Sequence, residues 1–349
     1  MSKPRSLALP PRTRAYRLST VRGEFAVLDT APPADFPRHG TALLLPGYTG
    51  SKEDFLGLLS PLSEAGFRTV AVDGRGQHES PGPRGRAAYR RKALALDAVA
   101  QAAALGDGPV HLLGHSFGGL VSRAAADLAP EAFVSLTLLS SGPGRVPRGQ
   151  RARVRALRTA LAVASKEQVW AATRWLDSRG EEPEAADPPE IVGFLRSRWM
   201  GTRIAQLSGA GRLLIGDPDG TAALRELTLP LHIAYGDGET VWPVAELAAA
   251  ATLTGAHHTV VDGAGHSPNV SHPAELAARL AAFWDRSAAD PSVPDLGSAD
   301  PDSADDSSAA SAGLSSGTPG ADAARSRPAA PGAAADGRAA TGRAGAPPR

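Results

Sequence analysis

Between residues 41 and 286, short apolar runs alternate with longer helical patterns, and this alternation constrains the fold more than any other feature of the chain. The runs are TALLLP (41–46), RTVAVD (68–73), PVHLLGH (109–115), FVSLTLL (133–139), LHIAY (231–235) and HHTVVD (257–262). Their apolar character is continuous rather than alternating, which suits buried strands of a parallel sheet covered on both faces. Between them lie KEDFLGLLSPLSEAG, ALALDAVAQAAALG, GGLVSRAAADLAP, PVAELAAAATLTG and HPAELAARLAAFW, each with helical spacing and most closed by Gly or Pro. Strand–helix alternation predicts a doubly wound α/β fold, and YRLST and EFAVLDT, joined by VRG, predict an antiparallel hairpin on its edge.

One interval breaks the rhythm. From Gly144 to Ala223 no strand-like run occurs, but RARVRALRTALAVAS, EQVWAATRWLD and IVGFLRSRWMG carry helical spacing. A helical insertion between two strands of a parallel sheet is most simply a cap over the strands' C-terminal edge, where open α/β sheets bind ligands. The expected layout is a core of residues 15–143 and 224–286, a cap of 144–223, and two flanks outside the fold. From Ser287 onward there is no aromatic residue, and the only large aliphatics are Val293, Leu296 and Leu314. Such a segment buries too little apolar area to offset backbone ordering at about 1–2 kcal/mol per residue, so 287–349 is expected to be a disordered tail. Residues 1–14 are expected to be disordered as well.

Composition removes several function classes. A net charge of +1 gives no global field for nucleic acid or an anionic membrane. The absence of Cys removes disulfides, thiolate nucleophiles and thiolate metal sites together. The basic start MSKPRSLALPPRTRAYRLST lacks the apolar stretch of a signal or anchor, and no apolar run near 18 residues occurs elsewhere. A cytoplasmic protein without an integral membrane segment is the expectation.

The candidate chemistry starts at VHLLGHSFGGL, where Ser116 stands between Gly114 and Gly118. With 38 glycines in 349 residues, chance alone would give G-x-S-x-G in about one such chain in three, so context decides. Ser116 follows an apolar strand and precedes a helical segment. Small residues two before and two after the serine are what a strained strand-to-helix turn needs, and the helix then aims its N-terminal amides near the reacting oxygen. Further on, AYGDGETVWP places Asp237 and Glu239 after one strand, and VVDGAGHSPNV places His266 after the last. The order is serine, acid, histidine, with room for the cap between the first two.

These segments resemble the α/β-hydrolase superfamily, and the resemblance covers roughly residues 20–286. LLLPGYTGSKEDF is similar to the family's oxyanion loop, with Pro46-Gly47 where His-Gly is usual. VAVDGRGQHESPGP is similar to its Asp-x-Arg-Gly stretch, with Gln77 and His78 where His-Gly is commoner. GHSFGG matches the nucleophile elbow, and GAGHSPNVSHPAEL matches the histidine loop before the last helix. The resemblance implies a nucleophilic Ser116, His266 as general base, and backbone N–H groups of Tyr48 and Phe117 as oxyanion donors. Alignment of GDGETVWP on Gly236 and Pro243 puts Glu239 in the acid position, with Asp237 as the alternative. Neither metal nor organic cofactor is implied.

Other residues divide between structural and functional roles. His111, His232 and His257 sit in strand-like runs and His272 abuts a helix-starting Pro, so these are expected to be structural, while Asp73 and Arg75 are expected to pin their loop. His115 is expected to form pocket wall. Trp170, Trp175, Trp199 and Met200 in the cap, and Trp242 after the acid loop, are divided between core packing and lining an acyl pocket. The six arginines from Arg145 to Arg158 suit a solvated helix face, or attraction of an anionic substrate such as a phosphate-bearing thioester.

The expected activity is cofactor-independent serine hydrolysis of a carboxylic ester of a small or medium-chain acid through an acyl-enzyme. Related acyl hydrolases such as thioesterases and lactonases share the same chemistry. Haloalkane dehalogenases and epoxide hydrolases are disfavoured because those chemistries need a carboxylate at the elbow. The competing reading, from another class, is a non-catalytic hydrolase-like module that binds a small ligand or partner protein; its support is the unusual acid motif and the long tail.

Overall fold

The computed structural model describes residues 2–180 and 187–288. The expected 287–349 tail therefore lies outside the described residues, except that Ser287 and Ala288 extend the last helix. One eight-stranded sheet organises the molecule: β1 (Thr13–Thr20), β2 (Gly23–Thr30), β3 (Gly40–Leu45), β4 (Phe67–Val72), β5 (Val110–His115), β6 (Phe133–Leu139), β7 (Leu231–Gly236) and β8 (His257–Val261). Strand order is β1-β2-β4-β3-β5-β6-β7-β8. The β1–β2 hairpin is antiparallel and joins β4 antiparallel, whereas β4, β3 and β5 to β8 run parallel.

Both faces of the sheet are covered, as continuous apolar strands require. Leu43, Leu45, Leu112 and Leu138 join one buried cluster, while Ala42, Leu44, Leu113 and Leu139 join the other. α2 (Arg91–Leu105), α3 (Phe117–Leu128) and α9 (Val244–Thr254) contribute to the first; α1 (Leu56–Glu64) and α11 (Pro273–Ala288) contribute to the second. One expectation needs correction: β8 is not buried on both sides. His258 and Val260 face outward and His257 is exposed at the strand's start, while Thr259 and Val261 are buried, because β8 is an edge strand covered on one face.

The insertion between β6 and β7 is helical: α4 (Arg148–Val163), α5 (Lys166–Gly180), α6 (Pro189–Gly201), α7 (Ile204–Gly216) and α8 (Thr221–Glu226). It has its own small core of Leu161, Val169, Trp170, Ile191, Leu195, Trp199 and Leu207. α8 crosses the expected boundary at residue 223 and packs on α3 and α9. The short α10 (Pro268–Ser271) follows β8. A buried ion pair ties cap to core, Arg198 Nη1 to Asp54 Oδ1 at 2.7 Å.

The start of the chain also departs from expectation. Residues 2–12 are ordered against the fold: Pro4 is buried, Arg198 Nη2 donates to the Ser2 carbonyl at 2.7 Å, and the Ser2 and Ser267 hydroxyls lie 2.9 Å apart. Polar contacts to buried partners hold this segment, and composition gives no sign of them. Among the described residues, no helix is long and apolar enough to cross a membrane.

Candidate active site

Ser116 sits between β5 and α3 with φ 53° and ψ −116°, a conformation side chains rarely adopt. Two contacts hold the strain. Ser116 N–H donates to the Leu139 carbonyl at 2.9 Å, and the Ser116 carbonyl accepts from Gly119 N–H at 2.9 Å. The flanking glycines are required for space. A Cβ on Gly118 would collide with the Leu45 backbone, and one on Gly114 with the Gly118 backbone and Ser122 Oγ. The turn packs directly on the end of β3, and only glycine permits that approach.

His266 and Glu239 reach this turn from loops after β8 and β7. His266 Nε2 lies 3.1 Å from Ser116 Oγ, and His266 Nδ1 lies 2.8 Å from each Glu239 carboxylate oxygen. A carboxylate can only accept, so Nδ1 carries the proton and Nε2 turns its lone pair to the serine hydroxyl. The Glu239 side chain is fully buried. Burial works against its charge, but the His266 imidazole and the Val241 N–H, 2.6 Å away, outweigh burial and hold the carboxyl below its ordinary pKa. Asp237 is exposed, and the structure does not bring it to the imidazole.

Tyr48 and Phe117, the expected oxyanion donors, flank the turn. Among the described residues neither backbone N–H has an acceptor, so both are free to bind one. Gln77, at the position where the sequence departs from the family pattern, positions the first donor's loop: its Nε2 donates to the Gly47 carbonyl at 2.8 Å and its Oε1 accepts from Gly74 N–H at 3.0 Å. Asp73 pins the same region by accepting from Lys52 N–H at 2.8 Å and Lys52 Nζ at 3.0 Å, and Arg75 pairs with Asp97 at 2.6 Å.

A cavity of about 220 Å³ opens over Ser116, walled by Tyr48, His115, Val146, Val154, Leu214 and Val241 among others. His115 is therefore wall, and also more than wall. Its Nε2 donates to the His266 carbonyl at 2.9 Å, and burial, reinforced by the charge of a protonated His266, pushes its pKa down to about 3. It is a neutral tether between elbow and histidine loop. Nothing in GHSFGG marks that role, because the partner is a main-chain atom 151 residues away.

The aromatic expectations are corrected by packing. Trp170 and Trp199 meet at 6.3 Å between ring centroids inside the cap core, Trp175 is exposed, and Met200 lines a different cavity. None of the four lines the cavity over Ser116. Trp242 lies behind His266, ring centroids 6.1 Å apart, and borders a neighbouring cavity of about 260 Å³. Trp170 and Trp199 went to the cap's own core, with Met200 packed against it, while Trp242 belongs to the main core. Ser2, which no sequence signal singled out, lines the Ser116 cavity.

Among the described residues, one cluster has metal-ligand chemistry: atoms of Glu53, His78 and Glu79 lie within 4.8 Å of one another. Lys52 Nζ already stands 2.7 Å from both Glu53 and Glu79, so an ammonium takes the cation's place there.

Comparison with known proteins agrees with this fold. Residues 42–279 match the model of the alpha/beta hydrolase family. A pimeloyl-[acyl-carrier protein] methyl ester esterase of Aromatoleum aromaticum is 28% identical over 239 residues, covering 63% of this chain and 88% of the relative. A proline iminopeptidase of Lactobacillus delbrueckii subsp. bulgaricus is 27% identical over 256 residues, covering 67% and 85%. Among solved structures, a thermophilic esterase from Thermogutta terrifontis superposes with a TM-score of 0.63 at 20% identity, covering 78% of this chain and 99% of the esterase. With the fold, the strained elbow and the family match in agreement, the chain belongs to the alpha/beta hydrolase family.

Proposed function

We propose that this protein is a cofactor-independent serine hydrolase that cleaves carboxylic esters of small or medium-chain acids, in the cytoplasm, through an acyl-enzyme on Ser116. The observation that carries the reading is the unbroken hydrogen-bonded series from Ser116 Oγ through His266 to the buried Glu239 carboxylate. His266 Nε2 takes the hydroxyl proton as Ser116 attacks the ester carbonyl, and Glu239 stabilises the imidazolium that forms. The tetrahedral oxyanion is held by the N–H groups of Tyr48 and Phe117, a kind of interaction worth about 3–4 kcal/mol per donor. His266 then protonates the leaving alcohol, the acyl group remains on Ser116, and a water activated by the same imidazole releases the acid. No step calls on a metal or cofactor.

The site favours esters over the aminopeptidase chemistry of the second relative. An N-terminal ammonium needs a carboxylate to meet it, and among the described residues lining the Ser116 cavity there is no Asp or Glu. The walls are mostly apolar, and about 220 Å³ lies at or below the small end of ligand sites, which suits a short acyl chain. The esterase named among the relatives supports the same choice.

A fluorophosphonate probe tests the reading. The wild type should be labelled and Ser116→Ala should not. A panel of p-nitrophenyl esters should be turned over with a preference for short chains. An unlabelled wild type, or equal labelling of both proteins, would instead favour a non-catalytic module.

A further inference from the structure

A second cavity is larger than the one over Ser116. About 550 Å³ opens between the 83–86 loop, α4 and the start of α7, and its walls carry Arg84, Arg86, Arg158, Lys166 and Arg203. No Asp or Glu lines it among the described residues. Several buried cations elsewhere are matched by acids: Arg68 with Asp29 and Asp107, Arg75 with Asp97, Arg123 with Asp217, Lys52 with three carboxylates. Here Lys166 Nζ is held by the carbonyls of Met200 and Thr202, at 2.7 and 2.6 Å, and the four arginines have no carboxylate partner among the described residues. Arg158 Nε is buried without an acceptor.

Backbone dipoles add to the side-chain charge. α7 begins at this wall with Arg203 as N-cap, no side-chain cap and no acid in its first turn. The amides of Ile204, Ala205 and Gln206 have no acceptor among the described residues. The rest of the wall, Leu161, Met200 and Ile204, is apolar.

This cavity adjoins the Ser116 cavity but is separate from it. Val154 walls the one and Arg158 and Leu161 the other, along one face of α4, so their linings are offset by about 6–10 Å at 1.5 Å per residue. Tyr48 stands between them, its hydroxyl donating to the Leu207 carbonyl at 2.8 Å. A Cβ on Gly211 would meet Tyr48 Oη at 2.9 Å and Arg158 Cδ at 2.8 Å, which leaves no open passage there.

We propose that the cavity walled by Arg84, Arg86, Arg158, Lys166 and Arg203 is a second ligand site for an amphipathic anion, a carboxylate or phosphate monoester carried on a short apolar chain. The cations and free amides take the head group, and Leu161, Met200 and Ile204 take the chain. The site stands independently of the chemistry at Ser116.

Isothermal titration of the full chain with octanoate, octyl phosphate, octanol and inorganic phosphate tests it. Both octyl anions bind, octanol and inorganic phosphate bind at least about tenfold more weakly, and added salt weakens the anions. The stronger of octanoate and octyl phosphate identifies the head group. Arg84, Arg86 and Arg203 are exposed, so the triple alanine variant keeps the wild-type melting temperature while losing about tenfold or more in affinity. Octanol binding as tightly as octanoate, inorganic phosphate binding as tightly as octyl phosphate, or full affinity in the triple variant would each overturn the proposal. So would loss of binding after Ser116 is phosphonylated, since the anion would then occupy the other cavity. If Ser116 proves unreactive, the hydrolase reading fails while the arginine comparison still decides this one.

Discussion

Lowering the pH from about 7.5 to about 5 should cost the fold about 6 kcal/mol through three buried histidines, a loss partly offset by Asp73, whose carboxyl burial raises to about 7. His111, His115 and His232 are buried, and burial pushes each pKa down to about 3, with His266 adding to the effect at His115 and His257 at His232. Each imidazole is paired in the neutral state: His111 with the Ser135 hydroxyl, His115 with the His266 carbonyl, His232 with the Thr259 hydroxyl, all at 2.9 Å. In the unfolded chain each returns to about 6.5. Between those values the unfolded chain binds protons that the folded chain refuses, so stability is intact above about pH 6.5 and falls as the pH drops through the window. At about pH 5 each group has moved 1.5 units past its unfolded pKa, about 2 kcal/mol apiece at 1.36 kcal/mol per unit. The folded value need only lie well below 5, so the figure is insensitive to it. A loss of this size is a large part of the 5–15 kcal/mol that holds a typical domain. Urea unfolding at the two pH values measures the gap. His111→Asn should narrow it by about 2 kcal/mol whatever it does to stability at neutral pH. A gap under about 2 kcal/mol, or one unchanged in that variant, would refute the reasoning.

Three further outcomes follow from the site and its supports. Glu239→Gln should lower kcat by about 10³–10⁴ while exposed Asp237→Asn stays near wild type, and steady-state kinetics showing the reverse order would assign the acid to Asp237. His115→Ala should lower kcat about tenfold with KM little changed, because His266 loses its main-chain tether; an unchanged kcat would reduce His115 to pocket wall. Arg198→Ala strands the buried Asp54 carboxylate and should cost about 3–5 kcal/mol in thermal unfolding, with Asp54→Asn added in the double variant recovering part of it.

Much of the frame was legible because its signals are local. A strand buried on both faces is apolar at most positions, so 133–139 reads directly as β6 despite Ser135 and Thr137, and the other inner strands read to within a residue or two. β8 misled because two histidines before an apolar pair resemble a buried run, and only its place at the sheet edge turns one side to water. Gly114 and Gly118 announce a tight elbow by composition, and the order of serine, acid and histidine restricts the partners to a few residues.

What the chain determined by itself is periodicity and residue type: which segments bury, which turn must be tight, and which side chains are the candidates for chemistry. Tertiary structure alone brings Glu239 rather than Asp237 against His266, since two residues of sequence separate a carboxylate beside the imidazole from one in solvent. It alone sent Trp170 and Trp199 into the cap's own core, made His115 a tether and Gln77 a brace, and drew Ser2 to the mouth of the site. These outcomes depend on contacts between residues tens to hundreds of positions apart, and such contacts form only when the whole chain has packed. No local pattern records them.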